Sequence, residues 1–183
     1  REPALDPFLP LRTLLVDPDG TQWIVGATGL VRRDRDGCAV VGPCSVWPTN
    51  RVVALTRAPD GALWLGGDGL ARFDGREVVV PPVAEAFRQR SVRTIAFAPD
   101  GAMWLGCTDG LVRVDLTSGA QRQWRSGAEL PFGQVRSVLP EVGECAWIAT
   151  YGGGVVRVDG ARTAPIDERH GVHDQHLCGI AAH

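Results

Sequence analysis

Short apolar runs recur along this chain, and each is cut off within a few residues by Gly, Pro or Asp. The stretch from Val92 shows the pattern. Val92 to Ala98 is a β-prone run closed by Pro99-Asp100-Gly101, where Pro presets φ, Asp bonds its own backbone and Gly tolerates positive φ. Met103 to Cys107 predicts a second strand around the large Trp104, and Asp109-Gly110 the next tight turn. Leu111 to Val114 predicts a third strand with Arg113 between two apolar neighbours, and Gln121 to Trp124 a fourth. Helical periodicity beyond a turn or two is missing, so helix repeats are excluded.

The same phrase occurs four times, starting at Leu11, Val52, Val92 and Val135. Trp23, Trp64, Trp104 and Trp147 mark it at a period of about 40 residues, too long for leucine-rich or ankyrin repeats and right for a four-stranded propeller blade. The expected fold is therefore all-β: four four-stranded antiparallel blades plus the first strand of a fifth, a partial β-propeller. Residues 1–183 read as one propeller segment, with blades at 11–50, 51–90, 91–133 and 134–176 and the start of a fifth at 177–183.

Each Trp is expected to be buried in the wedge between neighbouring sheets, with carbohydrate stacking as the alternative role. Arg32, Arg72, Arg113 and Arg157 each precede an Asp in the following turn (Asp34, Asp74, Asp115, Asp159) and are expected to pair with it. The fourth copy departs from the pattern. It has Glu141-Val142-Gly143-Glu144 in place of Pro-Asp-Gly and carries Gly152 to Gly154 before its third strand, changes expected to loosen those turns.

Composition narrows the function classes. A net charge of −2 gives no electrostatic footprint for nucleic acid or anionic membrane. No apolar run approaches the roughly 20 residues that span a bilayer. The first residue is Arg1, so any signal peptide is read as removed or left out. The five Cys lack zinc-type spacing, and Cys38 and Cys44 flank a short apolar stretch that a disulfide could close in an oxidising compartment. The alternative for all five is packing as small hydrophobes. His170, His173, His176 and His183 crowd the C-terminal stretch, three of them at every third residue. The stretch reads as an inter-blade loop, so neither a metal site nor a cofactor is expected. The motifs of serine hydrolases, zinc peptidases and phosphate loops do not occur, and no catalytic residue is assigned.

The phrase from Val92 to Asp115, with its Pro-Asp-Gly, Trp-Leu-Gly and Gly-Leu-Val-Arg steps, resembles the two-component regulator propeller repeat of bacterial sensors. The likeness runs from Leu11 to the C-terminal end. It implies an extracytoplasmic or periplasmic input module whose remaining blades and signalling domain, a histidine kinase or diguanylate cyclase, belong to a longer protein. It also implies that the first strand of each blade lines the central channel. Arg12, Arg93 and Arg136 stand at the second position of that strand, where Val53 and Cys178 are the other equivalents. The three arginines are expected to converge at one channel mouth as a site for a carboxylate, a sulfate or an acidic sugar. The alternative is that they bond carbonyls or carboxylates of neighbouring blades.

The resulting expectation is a ligand-binding module without enzymatic activity, taking a small-molecule or saccharide-like ligand and capable of forming a homodimer. The rival readings are a propeller lyase or lactonase, since streptogramin lyases share a Gly-x-x-Trp core, and a protein-interaction scaffold.

Overall fold

The computed structural model describes residues 10–26, 29–43, 51–131, 133–166, 168–174 and 176–181. Among these residues sixteen strands form four sheets of four, each antiparallel with strands in chain order. Blade 1 comprises β1 (Thr13–Val16), β2 (Gln22–Val25), β3 (Gly29–Asp34) and β4 (Gly37–Pro43). Blade 2 comprises β5 (Ala54–Arg57), β6 (Leu63–Gly67), β7 (Gly69–Phe73) and a two-residue β8 (Val78–Val79). Blade 3 comprises β9 (Val92–Phe97), β10 (Met103–Cys107), β11 (Gly110–Val114) and β12 (Gln121–Arg125). Blade 4 comprises β13 (Gln134–Pro140), β14 (Cys145–Tyr151), β15 (Gly154–Asp159) and β16 (Arg162–Ile166). This is the expected propeller-blade fold. The chain divides into two compact units, 1–89 with blades 1 and 2, and 90–183 with blades 3 and 4. Sequence patterning did not point to the one-turn helix α1 (Pro82–Glu85), which starts on a proline and follows the shortest outer strand.

The recurrent turn chemistry explains the recurrent hairpins. In blades 1 to 3 the Asp before Gly (Asp19, Asp60, Asp100) accepts the amide of the residue two further on, at 2.8, 3.0 and 3.0 Å. The following Gly supplies positive φ, +84° at Gly101. The fourth turn, expected to be loose, closes with a backbone bond from the Glu141 amide to the Cys145 carbonyl at 2.8 Å, the counterpart of the Ala98 to Ala102 bond at 2.9 Å in blade 3. Gly143, at φ +75°, takes the place of the missing Gly.

These turn carboxylates titrate below the ordinary carboxylate value. At Asp60 the Ala62 amide is the main cause, followed by Arg72, and at Asp100 the main cause is the Ala102 amide. A carboxyl whose pKa is depressed by folding contributes stability above its unfolded pKa and loses it as pH falls through the folded value. The melting temperature should therefore be flat near neutrality and fall below about pH 4, with Asp100→Asn shrinking the fall. Thermal unfolding followed by circular dichroism checks this. An unchanged melting temperature down to about pH 2.5 would refute it.

Each unit has its own inter-blade core. In the first, Val25, Leu30 and Trp23 of blade 1 meet Val52, Leu63, Leu65 and Phe73 of blade 2, with Trp23 and Phe73 ring centroids 5.7 Å apart. In the second, Trp104 stacks on Trp124 at 5.4 Å and 12°, against Val135, Ala146, Ile148, Val156 and Val158 of blade 4.

The expectation of four buried tryptophans holds for Trp64 and Trp104, whereas Trp23 and Trp147 are half-buried. The residue six positions earlier tracks the difference. Asp17 and Glu141 accept the indole N–H of Trp23 and Trp147 at 2.7 and 3.0 Å. Ala58 and Ala98 occupy that place before the buried pair, whose indole nitrogens find no acceptor. The Arg–Asp pairing is also corrected, since only Arg32 pairs with the Asp that follows it, Asp34 at 2.7 Å. Arg72, Arg113 and Arg157 reach back to Asp60, Asp100 and Glu141. The register places each of them opposite its Trp, pointing along the sheet face toward the first hairpin. Asp74 and Asp115 are occupied with the amides of their own turns.

The departures in the fourth copy latch blade 3 to blade 4. The Gly143 carbonyl accepts the Arg113 Nε–H at 3.1 Å, and Glu144 pairs with Arg122. The Gly160 carbonyl accepts the Trp124 indole N–H at 2.9 Å.

Candidate functional site

Antiparallel pairing gathers the starts of β9, β11, β13 and β15 and the ends of β10 and β14 at one end of the second unit. Two of the arginines singled out by sequence lie here, at the same step of neighbouring strands. Strand β9 packs alongside β13. The pairing of β9 with β10 passes from Val92 to Thr94, and that of β13 with β14 from Val135 to Ser137. Arg93 and Arg136 are thus the extra residues of two equivalent β-bulges. A bulge frees a side chain from the regular alternation and re-aims it.

Both side chains are half-buried, and the Nε atom of each is sealed from solvent without a hydrogen-bond partner. Among the described residues neither forms an ion pair, whereas Arg57, Arg72, Arg88, Arg90, Arg113, Arg122 and Arg157 all do. A buried donor left unsatisfied costs about 1–3 kcal/mol, more when it is charged. The Nε–H of Arg93 and of Arg136 is thus left without an acceptor, as is that of Arg157, whose Nη2 nevertheless pairs with Glu141. Arg12 holds the equivalent step of blade 1, in the first unit, where its amide bonds the Val25 carbonyl at 2.8 Å and its side chain is exposed.

Groups that sequence reasoning missed surround Arg136. Its guanidinium lies over the ring of Tyr151, 5.4 Å from the centroid. The edge of His176 meets that ring at 4.8 Å and 72°. Gln134, paired with Tyr151 across the sheet, has a buried side-chain oxygen with no donor. The available signal was that Tyr151 is the only tyrosine of the chain and begins the lengthened Gly152–Gly154 turn.

Next to Tyr151 in the chain, Gly152–Gly154 border a cleft of about 480 Å³ that is also lined by Pro131, Pro165, Ile166, Arg169, Val172, His173 and Asp174. At the same end the Cys107 thiol is fully buried, and burial pushes its pKa up to about 12, so it stays neutral.

The histidines separate in the structure. His170 ends a 3₁₀ turn (Glu168–His170), His173 borders the cleft and His176 touches Tyr151, while His183 lies outside the described residues. No group of three metal-binding side chains comes together among the described residues. Cys38 is a free thiol in β4, and Cys44 lies outside the described residues. Residues 177–181 form no strand but run beside blade 4. The Leu177 amide bonds the Thr150 carbonyl at 3.3 Å, and the Ile180 amide bonds the Ser137 hydroxyl at 3.2 Å. Among the described residues no helix is long and apolar enough to cross a membrane.

Neither a protein-family model nor a curated protein matches the chain. Solved structures do, and they define its class as the β-propeller fold. An extracellular domain from B. thetaiotaomicron that carries the name of a hybrid two component system is similar at 18% identity and a TM-score of 0.67, over 91% of this chain and 23% of that one. Regucalcin, a calcium-binding protein from Agrobacterium tumefaciens, is similar at 23% identity and a TM-score of 0.64, over 88% of this chain and 60% of that one. Virginiamycin B lyase from Staphylococcus aureus is similar at 17% identity and a TM-score of 0.56, over 85% of this chain and 55% of that one. An extracellular domain of a two component system, a lyase and a calcium-binding protein thus share the fold, and this chain spans less than a quarter of that extracellular domain.

Proposed function

We propose that the chain is a ligand-binding part of an extracytoplasmic sensory propeller and that it takes a small anion at Arg93 and Arg136. The observation that carries this reading is the pair of equivalent bulges, each aiming a half-buried arginine that has no carboxylate partner. Guanidinium forks suit carboxylate and sulfate oxygens and neither give nor take protons near neutral pH, which favours binding over catalysis. The repeat phrase and the likeness to the extracellular sensor domain support a place outside the cytoplasmic membrane, with occupancy passed to a signalling domain in a longer polypeptide.

Calorimetric titration with sulfate, acetate and citrate is the test. At least one of these should bind, and Arg93→Ala and Arg136→Ala should each weaken it about tenfold or more, the loss of one charge-assisted bond. Arg125→Ala, on the exposed outer strand, should leave binding unchanged. Equal binding by the wild type and both bulge variants would place the site elsewhere.

A further inference from the structure

The outer strand of a blade has one edge without a partner strand, and its free N–H and C=O groups are a template for pairing with another chain. Among the described residues the outermost strands are β4, β8, β12 and β16. Three of them carry features that keep a neighbouring strand away. Strand β8 is two residues long and is followed closely by Pro81-Pro82. Strand β12 carries Arg122 and Arg125, and β16 carries Arg162 and Pro165. Strand β4 differs. It runs for seven residues, Gly-Cys-Ala-Val-Val-Gly-Pro, without a charge and with its proline only at the end. Its one irregularity is a bulge at Val41, which leaves Gly37–Val40 regular.

This edge is also open. Ala39 is exposed, and Val40 is 46% exposed. A cleft of about 340 Å³ follows the strand at Gly37–Ala39 and Val41, with Arg32, Asp34 and Asp36 completing its lining.

We propose that β4 pairs antiparallel with β4 of a second copy, joining two first blades into one eight-stranded sheet. The absence of charge selects this partner. Across a two-fold axis the residues nearest the axis meet their own kind, and a charged residue there would meet its like charge. The arginines of β12 and β16 forbid such a pair, whereas Cys38, Ala39 and Val40 accept it. Facing residues must share one side of the joint sheet. Within Gly37–Val40 the axis therefore passes at Cys38 or at Ala39. Pairing uses up the free edge of both copies, so assembly stops at two. The pairing is independent of the anion reading, since Arg93 and Arg136 belong to the other unit.

Sedimentation under reducing conditions tests the proposal. The mass should rise from one chain to two, and no further, between about 1 µM and about 1 mM, the weak range of a small interface. Oxidation at high concentration then locates the axis. Either the wild type gives a Cys38–Cys38 link between copies, or Cys38→Ser with Ala39→Cys gives a link between the two introduced thiols, each identified by peptide mass. Lysine at the position that links should weaken the dimer at least about threefold, the cost of like charges face to face. Gln123→Lys, exposed on β12, should leave it unchanged. A chain that stays single at about 1 mM would overturn the proposal, as would a mass that grows beyond two chains. So would a dimer that neither thiol links.

Discussion

Replacing Trp104 with alanine is expected to lower the unfolding free energy of the second unit by about 3–5 kcal/mol, the range for deleting a large buried aromatic. Trp104 has no exposed surface, stacks on Trp124 and touches the inner faces of both blades of its unit. Its indole nitrogen has no partner, so the replacement sacrifices packing and no hydrogen bond. The half-buried Trp147 offers a control within the same unit. Trp147→Ala removes a bond to Glu141 and an Arg157 stack but leaves a smaller void, and its cost should be less than half as large. Urea unfolding reads both as midpoint shifts at unchanged slope. A Trp104→Ala midpoint within error of the wild type would show that the blades do not depend on this stack.

Gly110→Ala should be nearly as damaging although it adds a single methyl group. Gly110 begins β11 at φ +140°, a conformation L-residues rarely adopt, and a Cβ there would collide with the carbonyl oxygen of Trp124 on the next strand. Backbone cannot rotate out of the way as a side chain can. Left-handed strain of about 1–2 kcal/mol and overpacking of about 1–3 kcal/mol add to a loss on the order of 3 kcal/mol. Gly119→Ala, also at positive φ but facing open space, should cost only the strain. The difference between the two variants in thermal or urea unfolding isolates the collision. Equal costs would mean that the strands separate slightly to admit the methyl group.

The blades were legible because their signals are local. Each hairpin of the third repeat is written in a few adjacent residues, and its strands fall within a residue or two of the expected positions. Trp burial was less legible because it depends on what lies across the wedge. Trp23 and Trp147 carry an acid six residues earlier, and that acid is visible in the sequence only once the register is known. The equivalent placement of Arg93 and Arg136 could be read from the repeat. Their bulges, and their lack of carboxylate partners, could not, because both follow from which strand pairs with which. Gln134 and Tyr151 gave no repeat signal at all. They belong to the one copy in which the phrase is altered, and altered copies are where a repeat protein carries residues its scaffold does not require.

The contrast between the two inter-blade junctions bears on how a chain of near-identical repeats avoids assembling in the wrong order. At the junction of blades 1 and 2, Asp17 takes the guanidinium of Arg57 as well as the indole of Trp23. At the equivalent of Arg57, blade 4 has Pro140. Were blade 1 to dock on blade 4, Asp17 would face a proline ring, and a carboxylate covered without its partner is strongly unfavourable. Blade 3, in turn, meets blade 4 through Arg122 and Glu144, a carboxylate at the turn position where the other three copies have glycine. Each junction therefore acts as a keyed lock. Removing both keys, with Asp17→Ala and Glu144→Gly together, would erase the distinction between neighbours and let blades trade places within a chain or between chains as they fold.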